Sequence, residues 1–382
     1  MANVPMVLTQ PDPEATAPPD DDPNVTDLGW HVYGWSRGYL AFDQILTDDW
    51  SDSGPGLWTL ITKTSHSTDG VHWQAGSDFN LTGSGDDEYA GASGYGGISG
   101  LVEGPAGLLA YSVLTPDCGT IYDSAVWPVA ISPDGVGWQT VNADANGKTI
   151  DADLYGLAVG GGPAGYITAG KNGVFTSTDG LSWKATNLKS PAFSGFQAIE
   201  GGTSIVGGFV LSGETRFPDR SCTGDTPTQV TPSLWWSANG STWTRAALPN
   251  PVHGPDFDTW VCRFGDRLLV AIATSGEQSR EWVSTDGHSW KSIPVSNVAV
   301  CPKDDFMGGQ YVGSVGGRTL VLAHTDADSS SIYLLHDDLT LTRLAQTGDV
   351  PPVRSQSGIF GPAGLIVTDD DGNVYLGVPI AG

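Results

Sequence analysis

The chain is short of basic charge, glutamate, cysteine and long apolar runs, and each shortage excludes something. Its 382 residues carry 17 Lys+Arg against 43 Asp+Glu, a formal net charge of −26. Such a surface repels phosphate, which argues against a nucleic-acid partner. Only seven of the acids are Glu; the other 36 are Asp. Glu favours helices and Asp favours turns, so helix is disfavoured. The four Cys, at 118, 222, 262 and 301, form no CxxC, which excludes a zinc ribbon and a thioredoxin-like motif. No run of 18 apolar residues exists to span a membrane, and no heptads mark a coiled coil.

What is abundant is Gly (52), Asp and Trp (14). That mixture reads as all-β with many tight turns. One heptapeptide, Ser-x-Asp/Asn-Gly-x-x-Trp, recurs five times: Ser67–Trp73, Ser132–Trp138, Ser177–Trp183, Ser237–Trp243 and Ser284–Trp290. A degenerate sixth copy runs from His336 to Leu341. The Asp/Asn positions are spaced by 65, 45, 60, 47 and 52 residues, the period of a four-stranded propeller blade with loop insertions. Asp-Gly or Asn-Gly between two strands signals a hairpin, because Gly takes positive φ without steric cost. The Ser and Asp side chains can tie down the turn's own N–H groups, and the Trp can pack between neighbouring blades. The box is therefore expected to fold the protein and to do no catalysis.

These boxes resemble the Asp-box, or bacterial neuraminidase repeat, of sialidase-type propellers. The usual box has a residue between Asp and Gly that all five copies here lack. The resemblance implies fold and leaves function open, since Asp-boxes occur in sialidases, xyloglucanases, sorting receptors and photosystem assembly factors.

Counting repeats predicts an all-β, seven-bladed β-propeller of four-stranded antiparallel blades. The blades are placed near 29–76, 95–141, 153–187, 195–247, 257–294, 309–345 and 356–379, with six blades as the alternative. The seventh shows only three strands, so Val4–Thr9 is expected to supply its outer strand and close the ring. The chain thus reads as a closing strand and Pro/Asp-rich linker over 1–28, followed by one propeller domain over 29–382. The Met-Ala start shows no signal peptide and reads as replacing one. Even cysteine number, low Lys and a Ser/Thr/Asn-rich surface suggest an exported bacterial protein, secreted or at the cell surface. Cys262–Cys301 and Cys118–Cys222 are the favoured disulfides among three possible pairings; free thiols are the alternative.

A propeller binds ligands in its central funnel, lined by the starts of the inner strands. Those positions are Trp30 and His31, Tyr95, Asp153 and Tyr155, Phe196 and Gln197, Asp258 and Trp260, Gln310 and Tyr311, Arg354 and Gln356. Aromatics with carboxylates, a His and an Arg suit a sugar, whose apolar face stacks on rings and whose hydroxyls bind polar groups. The leading expectation is a hydrolase with a carbohydrate-type substrate. Asp153 and Asp258 would be its acid/base pair. Tyr95, Tyr155, Trp260 and Tyr311 would form the platform, with Trp30 and Gln197 beside it. His31 and Arg354 would orient polar groups. Against this stands the plain alternative that inner-strand Asp residues only solvate the funnel.

Two other readings remain. One is a non-catalytic module that binds a glycan or a protein. The other is a metal-dependent esterase or phosphoesterase using zinc, or a protein holding calcium, with His31, His253, Asp256, His324, Asp326 and Asp328 as candidate ligands. A sialidase is not expected. With ten Arg in all, and Arg37 set in Gly34-Trp-Ser-Arg-Gly-Tyr39, the Arg pattern of that family is not matched. Gly160-Gly-Gly-Pro-Ala-Gly165 fits GxGxxG, but no helix pattern follows it, so it is not read as a dinucleotide site. The expected partner is a small-molecule or glycan ligand, with no nucleic acid, no membrane span and a monomeric state.

Overall fold

In a computed structural model the described residues are 2–5, 25–49, 57–84, 98, 100–114, 125–141, 158–170, 173–186, 193, 196–215, 231–251, 258–264, 268–275, 278–293, 312–315, 318–326, 329–336, 340–344, 358–368 and 374–378. Their regular structure is strand, in seven antiparallel sheets. No helix among them is long and apolar enough to cross a membrane.

Strand β1 (Ala2–Pro5) stands first in the chain. Sheet 1 holds β2 (Val25–Trp35), β3 (Gly38–Asp49), β4 (Leu57–Ser67), β5 (Gln74–Ala75) and β6 (Phe79–Ser84). Sheet 2 holds β7 (Gly100–Gly104), β8 (Gly107–Leu114), β9 (Ala125–Ser132) and β10 (Gln139–Thr140). Sheet 3 holds β11 (Ala158–Gly160), β12 (Tyr166–Gly170), β13 (Gly173–Ser177) and β14 (Lys184–Thr186). Sheet 4 holds β15 (Phe196–Ile205), β16 (Gly208–Thr215), β17 (Thr231–Ser237) and β18 (Thr244–Arg245). Sheet 5 holds β19 (Asp258–Phe264), β20 (Leu268–Ser275), β21 (Gln278–Ser284) and β22 (Lys291–Ile293). Sheet 6 holds β23 (Val312–Val315), β24 (Arg318–Asp326), β25 (Ser329–Leu335) and β26 (Leu341–Arg343). Sheet 7 holds β27 (Gly358–Gly361), β28 (Gly364–Thr368) and β29 (Val374–Val378), with β1 on its far edge.

Three details depart from the sequence expectation. The N-terminal strand, described over Ala2–Pro5, starts two residues before the expected Val4 and pairs Ala2 with Val378 through Pro5 with Tyr375. Strand β2 begins at Val25, inside the expected linker. Sheet 1 has a fifth strand, β6, which pairs with β4 beyond β5. Two compact units divide the chain. One comprises Met1–Glu88, Gly135–Trp138 and Ser296–Gly382; the other comprises Tyr89–Asp134 and Gln139–Val295.

The second strands read as apolar runs because both their faces are covered. In β20, Leu269, Val270, Ala271, Ile272 and Ala273 are all buried. Within the second unit, the space between sheets 4 and 5 is filled by Ile205, Val210, Leu234, Leu269, Trp282 and Trp290. Between sheets 3 and 4 it is filled by Ile167, Val174, Phe209, Trp235 and Trp243. The box tryptophans Trp243 and Trp290 thus pack between consecutive sheets, and Trp183 does the same beside Leu109, Ile131 and Tyr166.

Each box is a self-bonded turn. Ser177 Oγ donates to Asp179 Oδ1 (3.0 Å), which also accepts from Leu181 N (2.9 Å) and Ser182 N (2.7 Å), while Gly180 N donates to Ser177 Oγ (2.8 Å). The boxes at Asp69 and Asp286 repeat this set. Gly70, Gly135, Gly180, Gly240 and Gly287 have φ between 69° and 76°, the left-handed region that excludes most side chains.

Two tyrosines lock consecutive sheets. Tyr166, opening β12, donates its hydroxyl to Gly107 O (2.9 Å) on sheet 2. Tyr39, at the matching place on β3, donates to Gly364 O (2.8 Å) on sheet 7. Burial pushes the Tyr39 phenol up to about 12. Sheet 7 therefore meets sheet 1 as sheet 2 meets sheet 3.

Candidate functional site

The candidate residues were expected at the starts of the inner strands. Inner strands β11 and β15 approach at backbone contact. A Cβ on Gly160 would overlap Gly202 O, and one on Gly162 would overlap Ser204 O. Thr203 Oγ1 donates to Gly161 O (3.3 Å) and Ser204 Oγ donates to Gly165 O (2.8 Å). The Gly160–Gly165 segment is thus a packing device: it lets one inner strand press on the next. Strand β15 then approaches β19, since a Cβ on Gly201 would lie 3.5 Å from Val261 N and 3.7 Å from Trp260 Cα.

Phe196 and Gln197 open β15, and Asp258 opens β19. Both starts lie a few residues upstream of the Gly201 contact, so these candidates sit on adjacent inner strands of one unit. Trp260 is half-buried and pairs with Ile272, which pairs with Glu281. Directly paired residues share a sheet face, so the Glu281 carboxylate, 3% exposed, lies on the Trp260 face. Asp258 opens the same strand, two residues before Trp260, and pairs with Thr274. Glu281 escaped the sequence reading; its one signal is an acid directly before the apolar pair Trp282-Val283 that leads into a box. On the opposite face Trp282 Nε1 donates to Pro249 O (2.8 Å), which fixes the chain entering sheet 5.

Trp30 and His31 were expected at the start of an inner strand. They lie mid-strand on β2, opposite Asp43 and Phe42, because β2 begins five residues earlier. His31 is exposed. His324 and Asp326 lie on β24. Cys262, on β19, is half-buried and disulfide-bonded; the sulfur it joins lies outside the described residues. Also outside them are Tyr95, Asp153, Tyr155, Gln310, Tyr311, Arg354, Gln356, His253, Asp256, Asp328, Cys118, Cys222 and Cys301. Among the described residues no group of three His, Cys, Asp or Glu could hold a metal ion.

The two box histidines are exposed, as their turn positions imply. His72 Nδ1 sits 2.7 Å from Asp69 Oδ2, and the His288 ring lies 5.5 Å from that of Trp236.

No family model and no curated protein matches the chain. Solved structures do. A sialidase from Trypanosoma rangeli matches with 13% identity and a TM-score of 0.40, covering 92% of this chain and 54% of its own. A GH32 β-fructofuranosidase from Bombyx mori matches with 10% identity and a TM-score of 0.33, covering 86% and 66%. A glycosyl hydrolase from Bacteroides ovatus matches with 14% identity and a TM-score of 0.29, covering 68% and 83%. The chain spans about half the length of the sialidase it matches. Its resemblance to sialidases and glycosidases is one of fold, at low identity.

Proposed function

We propose that the seven sheets are the blades of a closed propeller, with β1 completing the seventh, and that the protein hydrolyses a carbohydrate-type substrate in the central funnel. The supporting observation is the juxtaposition of Asp258 and Trp260 on β19 with Phe196 and Gln197 on β15, at the starts of two adjacent inner strands. An aromatic beside a carboxylate offers a ring for the sugar's apolar face and a group that can move a proton. The ring reading draws on the Tyr39 and Tyr166 locks, which join sheet 7 to sheet 1 and sheet 2 to sheet 3 in one manner.

In the proposed reaction Asp153 and Asp258 divide acid and base roles. One protonates the leaving glycosidic oxygen as its C–O bond breaks. The other takes a proton from the water that adds to the anomeric carbon, or attacks that carbon itself before water releases the sugar. Export, a monomeric state and the pairs Cys262–Cys301 and Cys118–Cys222 belong to the same proposal.

Asp258→Asn and Asp153→Asn are expected to lower turnover of a chromogenic glycoside at least a hundredfold, with melting moved by no more than a degree or so. Retained turnover in both variants overturns the assignment. Glycan binding without product in the wild type would make the protein a binding module instead.

A further inference from the structure

Strand β8 carries one residue that its apolar run does not explain. Leu108, Leu109 and Ala110 are buried, and Tyr111 follows them half-buried. Tyr111 pairs with Gly100, the first residue of inner strand β7. The phenol lies across that glycine: a Cβ on Gly100 would overlap the Tyr111 hydroxyl oxygen and lie 2.5 Å from Cζ and 2.8 Å from Cε1. The hydroxyl end of the side chain therefore reaches the inner strand. The β8–β9 ladder slips register at the same place, with Ala110 opposite Ala130 and Tyr111 opposite Pro128. Such a bulge re-aims the side chain it carries. In the other three sheets of this unit, the residues paired with the first inner-strand residue are Ala169, Thr215 and Thr274. Tyr111 is the one aromatic of the four.

The phenol stands at the inner mouth of the seam between sheets 2 and 3. Val102, two residues beyond Gly100 and on its face, meets sheet 3 there: a Cβ on Gly161 would lie 3.1 Å from Val102 Cβ. Across the seam, Thr168 shares its face of β12 with Tyr166, whose hydroxyl bonds Gly107 O of sheet 2. The Tyr166 ring lies against Gly104. Thr168, two residues along, is thus level with Leu101 and Val102, within roughly 7 Å of Gly100 along the strands. It is 2% exposed, and among the described residues its Oγ1 finds no hydrogen-bond partner. A buried hydroxyl costs stability unless something bonds it.

We infer that this mouth is a subsite for a hexose ring of the substrate, with Tyr111 binding its ring hydroxyls and Thr168 its exocyclic hydroxymethyl group. The inference rests on the carbohydrate reading above and names the class of sugar. A phenol sets an apolar ring beside a hydroxyl, which matches the make-up of a sugar. Thr168 is more deeply buried than Tyr111, at a depth that suits a slim –CH2OH arm better than a whole ring. Its hydroxyl can both donate to that arm and accept from it. A pentose ring lacks the arm and leaves Thr168 unsatisfied.

The test measures Kd for aryl glycosides of glucose, galactose and mannose against those of xylose, L-arabinose and lyxose, pairs that differ by one hydroxymethyl group. The wild type is expected to bind at least one hexoside about tenfold more tightly than its pentose counterpart. Thr168→Val keeps the side-chain shape without the hydroxyl; it should lower that ratio about fivefold or more with no fall in Tm. Tyr111→Phe should weaken both members of the pair about threefold or more and leave the ratio in place. A wild-type ratio near one, or a ratio unchanged in Thr168→Val, overturns the subsite. Turnover of the same glycosides is followed in parallel, with Asp258→Asn as the reference. Turnover with a ratio near one removes the subsite and leaves the hydrolase reading. A hexose preference without turnover removes the hydrolase reading and leaves the subsite. If no glycoside binds, both fall.

Discussion

Gly162 tests the packing of the inner strands. It faces β15, where a Cβ would overlap the carbonyl oxygen of Ser204 and lie 2.7 Å from its carbon. The obstructing atoms are backbone, held by the β15–β16 ladder, so no side chain can swing away. Forcing one extra carbon into such a contact costs about 3 kcal/mol. For 382 residues the unfolding entropy is about 0.8 kcal/mol/K, so Gly162→Ala is expected to lower Tm by about 4 °C. Gly137 is the internal control, since a Cβ there meets nothing within 4 Å. Gly137→Ala is expected to leave Tm unchanged or raise it by about 1 °C, because Ala restricts the unfolded chain. Both are read by calorimetry at one pH. A Gly162→Ala variant melting within 1 °C of Gly137→Ala would refute the close approach of β11 and β15.

Tyr166→Phe leaves Gly107 O without its donor in a buried place, so a loss of about 1–3 kcal/mol is expected by denaturant titration. Tyr39→Phe at the sheet 7–sheet 1 lock should cost the same; a loss at one site only would break the equivalence of the two locks. Asp179→Ala removes an acceptor of two backbone N–H groups and should cost about 1 kcal/mol, whereas Asp179→Asn should be nearly silent at pH 7. Asn239 already plays that part in the fourth box, accepting from Ser241 N and Thr242 N at 2.9 Å. Hydrogen bonds from the turn hold the Asp69, Asp179 and Asp286 carboxyls below their ordinary range. A folded pKa below the unfolded one contributes stability that is present above about pH 4 and lost as pH falls through the folded value. The Asn variants should therefore show a flatter stability profile between about pH 4 and 2 than the wild type; an identical slope would contradict it.

The sheets were legible because the central strands read as apolar runs and because, in five of the seven sheets, the turn between third and fourth strands is a box whose chemistry is local. The start of the N-terminal strand was read two residues late because Asn3 and Pro5 look like turn or breaker residues, yet both pair on the edge of sheet 7. The start of β2 was hidden because Val25–Gly29 follows a Pro/Asp run and carries no clean alternation. Strand β6 was missed for a similar reason: Phe79-Asn-Leu-Thr-Gly-Ser is short and polar, and pairs only because β4 is long enough to offer it an edge. The glycine segment at 160–165 looked like a failed phosphate motif, since sequence alone does not show which backbone lies opposite. The beginnings of two inner strands were legible: Phe196 and Asp258 open β15 and β19 as their sequence context suggests. What a side chain at such a position does is not written in periodicity, which carries no information on how a loop or strand end places it.

We propose that the carboxylates Asp153 and Asp258 cleave a glycan by acid and base chemistry. Release of reducing ends from a panel of neutral polysaccharides tests it most directly, with and without a chelator and in parallel with Asp258→Asn. Turnover that survives the chelator and disappears in Asp258→Asn is the predicted result. Turnover that vanishes with the chelator, or persists undiminished in Asp258→Asn, would contradict it.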